Sequence, residues 1–152
     1  MHVPEYLWFM DTLICVRLSH REGTDGISIL EQTAPRGDSP PLHFHENEDE
    51  TFHVLEGVIR FRLDGRDQTV AVGDTVMAPK GVPHTYRVES ERARWLVITA
   101  KGQFEAFVRA MARRAEGGWL PPAGGPPAPE AMAALTGAAK QFGIEIIGPP
   151  LA

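Results

Sequence analysis

The chain has 152 residues, a formal net charge of −5, 43% apolar and 23% charged residues. That length suits one domain with a real core, and a lone cysteine, Cys15, cannot close an internal disulfide. An acidic chain with no run of Lys or Arg lacks the basic face that phosphates require, so no nucleic-acid partner is expected.

The first eleven residues carry no basic n-region, and Glu5 and Asp11 break the apolar stretch, which makes a poor signal peptide. No window approaches the roughly 18 apolar residues of a membrane span. The expectation is a cytoplasmic protein with no membrane partner.

From about residue 12 to 100 the pattern predicts short strands punctuated by turns. Ile59, Phe61 and Leu63 alternate with Arg60 and Arg62, one face apolar and the other charged. Asp64-Gly65 suits a two-residue hairpin turn, and residues 68–72 make the return strand. Val76 to Ala78 forms another strand, stopped by the Pro79–Pro83 segment. Trp95 to Thr99 is a continuous apolar, β-branched run that predicts a strand buried on both sides. Many short strands at this spacing indicate an all-β sandwich or barrel, of which the jelly roll is one form.

The character changes after residue 101. Phe104, Phe107, Val108 and Met111 form one stripe of an amphipathic helix, expected to dock on the barrel. Residues 117–129 are nearly all Gly, Pro and Ala and read as a connector. A second helix is expected over about 130–142, with Met132, Leu135, Ala139 and Phe142 on one side and Gly143 at its end. Ile144 to Ile147 predicts a closing strand ended by Gly148-Pro149-Pro150. The organisation is thus a barrel domain over 1–115 with its N-terminal extension and following helix, a connector over 116–129, and a helix and tail over 130–152.

Four of the six histidines lie between positions 43 and 84. His43-Phe44-His45 is an i, i+2 pair, so on a strand both imidazoles leave the same face while Phe44 points the other way. Glu50 opens the next strand beside the pair. His84 follows a Gly-Val-Pro turn, and an antiparallel neighbour can bring it opposite the other three.

On these residues the chain resembles the cupin superfamily. Gly37, five residues, His43-x-His45, four residues, Glu50, six residues and Gly57 reproduce the spacing of the first cupin motif. Gly73, five residues, Pro79-x-Gly81, two residues and His84 reproduce the second. The surrounding wording, Pro-Pro-Leu-His-Phe-His and Gly-Val-Pro-His-Thr-Tyr, is similar to small single-domain cupins of the quercetin 2,3-dioxygenase-like branch. There are two departures. The Asn that often closes the second motif is Val88 here, and the aromatic often found three residues after the metal Glu is His53.

The resemblance implies a cupin double-stranded β-helix, a jelly-roll barrel, with short C-terminal helices. It also implies a metal shell of His43, His45, Glu50 and His84. Mixed nitrogen and oxygen ligation suits one divalent transition ion (Fe, Mn, Ni, Co, Cu or Zn), and affinity order alone does not choose among them. Three inward imidazoles and a carboxylate would be costly to bury without a cation or a full hydrogen-bond network. Small cupins of this kind are commonly homodimers, and Tyr6–Met10 is expected to pack either across such an interface or on its own barrel.

The remaining candidates have simpler readings. His53 is an odd step from Glu50 and should face away from the cluster. His2 and His20 are expected at the surface, and Cys15 as a small buried residue. Glu46, Glu48 and Asp49 read as a solvated turn, and Arg60 and Arg62 as a solvated or subunit-facing surface. Tyr86, two residues beyond His84, either shares the substrate pocket or packs in the core.

Three functions compete. One is a metal-dependent dioxygenase acting on a small enol or hydroxylated aromatic, with Glu50 as catalytic base. The next is a non-redox cupin (cyclase, isomerase, lyase or decarboxylase), and the last a non-catalytic binding module.

Overall fold

A computed structural model describes residues 3–152; His2 lies outside the described residues. Ten strands come first: β1 (Glu5–Phe9), β2 (Thr12–Leu18), β3 (Ser28–Pro35), β4 (Pro41–His45), β5 (Glu50–Glu56), β6 (Ile59–Leu63), β7 (Arg66–Val70), β8 (Thr75–Ala78), β9 (His84–Val88) and β10 (Arg92–Thr99). Helix α1 (Gln103–Met111), the two-residue β11 (Arg113–Arg114), α2 (Pro129–Gln141) and β12 (Ile144–Pro150) complete the chain.

The strands form two antiparallel sheets, as expected for a jelly roll. One runs β11-β1-β2-β3-β10-β5-β8 and the other β12-β4-β9-β6-β7. Between them Phe52, Val54, Trp95 and Val97 from the first meet Ile59, Phe61, Tyr86 and Val88 from the second. Ring pairs cross the gap, Phe52 to Phe61 at 4.8 Å and Tyr86 to Trp95 at 5.2 Å between centroids. These distances lie in the range where edge and tilted aromatic contacts are favourable.

The hairpin expected at Asp64-Gly65 is present. Both residues take positive φ (50° and 78°), and Leu63 pairs directly with Arg66 across the turn. The return strand starts earlier than its composition suggests, because that tight turn fixes the register from residue 66. Arg60 and Arg62 project from the outer face of β6 and pair with Asp67, with Glu89 also on Arg60.

Strand β10 differs from its expected burial. Ala93, Trp95, Val97 and Thr99 are buried, whereas Leu96 and Ile98 are only partly covered. Its apolar run lies between β3 and β5, with one face in the core and the other only partly covered. Strand β12 also departs from expectation, running through Gly148 to Pro150 instead of stopping at Ile147. It is an edge strand that pairs with β4 through two register shifts, an arrangement that tolerates prolines lacking a donor.

The segment Tyr6–Phe9 pairs with β2 of its own barrel. Helix α1 seats Phe107 and Val108 against it, and α2 lays Leu135 and Ala139 over Phe107 and Ile144. The α1 seat is fixed by Glu105, which is fully buried and accepts from the Ser19 hydroxyl (2.7 Å), the His20 amide (2.9 Å) and Arg109 Nε (3.0 Å). Burial opposes its charge, but these donors hold the carboxyl down to about 2. His20 is therefore not the free surface residue expected: its Nδ1 lies 3.0 Å from Glu105 Oε2, and its ring is largely covered. No helix among the described residues is long and apolar enough to cross a membrane.

At Gly57 the chain leaves one sheet for the other with φ +82°, and a Cβ there would overlap the Arg92 carbonyl and the Ser90 side chain. Gly57→Ala should lower stability by about 2 kcal/mol or more, roughly 4–8 °C in Tm by thermal melt. Gly65→Asn, with open space at its Cβ, should cost less than about 1 kcal/mol.

Candidate metal centre

The i, i+2 spacing on β4 sends His43 and His45 from one face, as the sequence predicts. Strand β9 runs alongside with His84 directly opposite His43. Glu50 opens β5 in the facing sheet and reaches across the barrel. One ligand-type atom from each of His43, His45, Glu50 and His84 lies within 4.8 Å of the others. His45, Glu50 and His84 are 3%, 3% and 2% exposed, and His43 is partly open to a cavity.

Backbone carbonyls set the proton positions on two of the rings. His43 Nδ1 donates to the Pro41 carbonyl at 2.7 Å and His84 Nδ1 to the Val82 carbonyl at 3.0 Å. A carbonyl can only accept, so each neutral ring carries its proton on Nδ1 and turns a bare Nε2 inward. Glu50 Oε2 then stands 2.8 Å from His84 Nε2 and 2.9 Å from His45 Nε2. Two acceptors at that distance need a proton or a cation between them. His45 Nε2 has no hydrogen-bond partner of acceptable geometry, although it is buried.

The electrostatics follow from that crowding. Burial, with the other two imidazoles beside it, pushes His43 down to about 3. Burial works against charge on His45 and Glu50 too, but each outweighs it for the other: His45 is raised, and Glu50 is held well below the usual carboxylate range. Three imidazole nitrogens, one of them (His45 Nε2) buried without a partner, and one anionic oxygen fit a divalent transition ion.

The cluster opens onto a cavity of about 110 Å³ that is open to solvent at its mouth. Its walls are mainly apolar: Phe52 from the barrel, Phe104 and Phe107 from α1, Leu135 from α2, and Ile144 and Ile146 from β12. The two helices and the last strand thus build one wall of the site. Tyr86 lines this cavity and packs on Phe61 and Trp95.

His53 points away from the cluster, as expected, and bonds Thr75 Oγ1 at 2.8 Å. Glu48 corrects the expectation of a solvated turn. It is 2% exposed and accepts from the Phe104 amide at 2.7 Å, so it caps the start of α1. Its Oε2 is left without a partner. The turn is tucked under α1, which a local polar pattern does not reveal.

Sequence reasoning also missed a group of polar residues in the cavity, Thr12, Gln32 and Asp38. Gln32 carried a readable signal, since it falls in the buried phase of β3 with Ser28 and Leu30. Asp38 lies in the five-residue spacer of the first motif, where spacing alone gives it no role. Burial first, and then nearby Asp11, push the Asp38 carboxyl up to about 6, against a weak pull from Thr12.

Two packed antiparallel sheets closing on a buried three-histidine, one-glutamate cluster define a jelly-roll barrel with a candidate metal centre. Residues 30–99, a little under half of the chain, match the family model described as Cupin domain. It is 31% identical over 102 residues to a quercetin 2,3-dioxygenase of Bacillus subtilis, covering 66% of this chain but only 30% of that protein. Among solved structures it is similar to the polyketide cyclase RemF of Streptomyces resistomycificus (26% identity, TM-score 0.53, 66% of this chain and 70% of that one). It is also similar in fold to a predicted oxalate decarboxylase of Thermotoga maritima (23% identity, TM-score 0.56, 64% and 91%).

Asp38 offers a pH test in the metal-free protein. Its folded value lies above the unfolded one of 3.8, so its charge costs stability above about pH 6, and that cost fades as pH falls toward 4. Asp11, Tyr86 and Glu50 are the titratable groups nearby. Asp38→Asn should raise Tm at pH 8 by roughly 3 °C, on the order of 1 kcal/mol after screening, and by almost nothing at pH 4.

Proposed function

We propose that the protein is a metal-dependent enzyme acting on a small hydroxylated aromatic or enol compound, with dioxygen as the second substrate. The observation that carries this reading is the cluster's position at the end of an apolar cavity, with His43 open to it. A bound ion would supply Lewis acidity, lowering the pKa of a ligated substrate hydroxyl and fixing its orientation. The 31% identity to a quercetin 2,3-dioxygenase supports the dioxygenase form.

His43, His45 and Glu50 with His84 would hold the ion. The Pro41 and Val82 carbonyls keep the His43 and His84 rings turned with Nε2 inward. Glu50 is the proton acceptor in this reading, as the one carboxylate of the cluster, with Oε2 2.8–2.9 Å from the His84 and His45 ring nitrogens. Phe52, Phe104 and Ile144 exclude water from the reacting end. Tyr86 bounds the cavity and orients the ring of a bound substrate.

A second reading, a non-redox cyclase or lyase on the same ligands, is favoured by the likeness to RemF. Oxygen consumption separates the two. A binding module remains the third.

Metal analysis by inductively coupled plasma mass spectrometry should find close to one divalent ion per chain, lost in the His43→Ala/His45→Ala double variant. Metal-loaded protein should consume oxygen with flavonols, catechols or enols in an electrode assay, and Glu50→Gln should slow that by roughly 10²–10⁴-fold. Turnover without oxygen uptake would move the assignment to the second reading. Absence of bound metal, even after anaerobic reloading, would overturn both.

A further inference from the structure

The cavity has a second polar end that the four-residue cluster does not use. Thr12, Gln32 and Tyr86 are 6%, 5% and 8% exposed, yet they bond weakly to their neighbours. Thr12 Oγ1 reaches Asp38 Oδ2 only at 3.4 Å, and the Tyr86 hydroxyl reaches Gln32 Oε1 only at 3.5 Å. Hydroxyl hydrogen bonds normally close to about 2.7–2.8 Å. Two donors and two acceptors are thus held just too far apart to satisfy one another, all facing one cavity.

Register places this end away from the ion site. Gln32 pairs with Trp95, and Glu50 pairs with Thr99 on the same strand, β10. Four residues of strand separate those levels by about 13 Å. Tyr86 is two residues from His84 along β9, about 7 Å. The gap suits one substituted aromatic ring.

The charge at this end is one-sided. Asp38 has no ion pair among the described residues, and its charged neighbour is another acid, Asp11. An ionised carboxylate beside an apolar wall, with a second acid rather than a base near it, favours a donor or a cation and repels an anion.

We propose, building on the metal-dependent reading above, that Asp38 with Thr12, Gln32 and Tyr86 forms a distal recognition pole, taking a hydroxyl or ammonium donor from the far end of a ligand whose other end meets the ion. The preferred ligand class is then a ring with a metal-binding oxygen at one end and a hydroxyl or amine at the other. Ligands ending in a carboxylate are disfavoured.

Four catechols matched in shape test this: 4-ethylcatechol, 4-(2-hydroxyethyl)catechol, 4-(2-aminoethyl)catechol and 3,4-dihydroxyphenylacetate. Each is titrated by calorimetry, without oxygen, into protein loaded with redox-inert Zn(II) and into the metal-free protein. The wild type should bind the aminoethyl and hydroxyethyl compounds roughly tenfold more tightly than the ethyl one, and the carboxylate most weakly. Asp38→Asn, with Asp38→Ser as a second variant and melting curves to show folding, should erase the ammonium preference and relieve the carboxylate penalty. Zn-dependent binding whose ranking is the same in wild type and both variants would overturn the distal pole and leave the metal reading standing. No Zn-dependent binding of any catechol to the wild type would overturn the metal reading and the pole together.

Discussion

Glu50 Oε2 faces two imidazole nitrogens at 2.8 and 2.9 Å in a space from which water is nearly shut out. Two sheets must approach closely enough to bring β5 against β4 and β9, which requires the aromatic packing of Phe52, Phe61, Tyr86 and Trp95 between them. Once they do, four polar side chains are stranded in a medium where unpaired charge is expensive. A divalent ion would resolve that conflict by giving every donor atom the same partner. The backbone contributes as well, since the Pro41 and Val82 carbonyls fix which nitrogen of each ring can serve. Stability of the barrel and readiness of the site are therefore coupled through a single carboxylate.

The cavity shows a division of labour between fold regions. The two motif segments of the barrel bring the cluster, while α1, α2 and β12 bring much of the apolar wall. Glu48 joins the two, capping α1 from the turn that lies between His45 and Glu50. Its position gives α1 a fixed relation to the cluster, so Phe104 stands edge-on to His45 at 5.6 Å between centroids. Much of the apolar cavity wall thus comes from elements added to the barrel, while its polar lining comes from the barrel itself.

Much of this was legible in the sequence, for reasons that differ by residue. His43 and His45 share a face because side-chain alternation is a local rule, and the Asp64-Gly65 turn is written in its two residues. The meeting of Glu50 and His84 with that pair is non-local, and it was legible only through the resemblance carried by the two motifs. What stayed hidden depends on tertiary cover. Glu48 reads as solvated until α1 folds over it, and His20 reads as free until Glu105 is seen beneath it. Leu96 and Ile98 read as core because composition reports apolarity, not which sheet face has a partner layer. Asp38 has no sequence signature at all, since its importance arises from what is missing around it.

The pairing of β12 with β4 carries a consequence for synthesis. The strand bearing His43 and His45 is joined to β9 by a single register pair, and its other edge is completed by residues about a hundred positions downstream. At a ribosomal rate of roughly 5–20 residues per second, that edge waits on the order of 5–20 seconds for its partner. During the wait it presents unpaired amides and carbonyls beside uncovered Phe44 and Leu42, which is the kind of surface that recruits other nascent strands or holdase chaperones. Ion capture at full affinity would be one of the last events in the life of the newborn chain, after the final strand has locked the first two ligands in place.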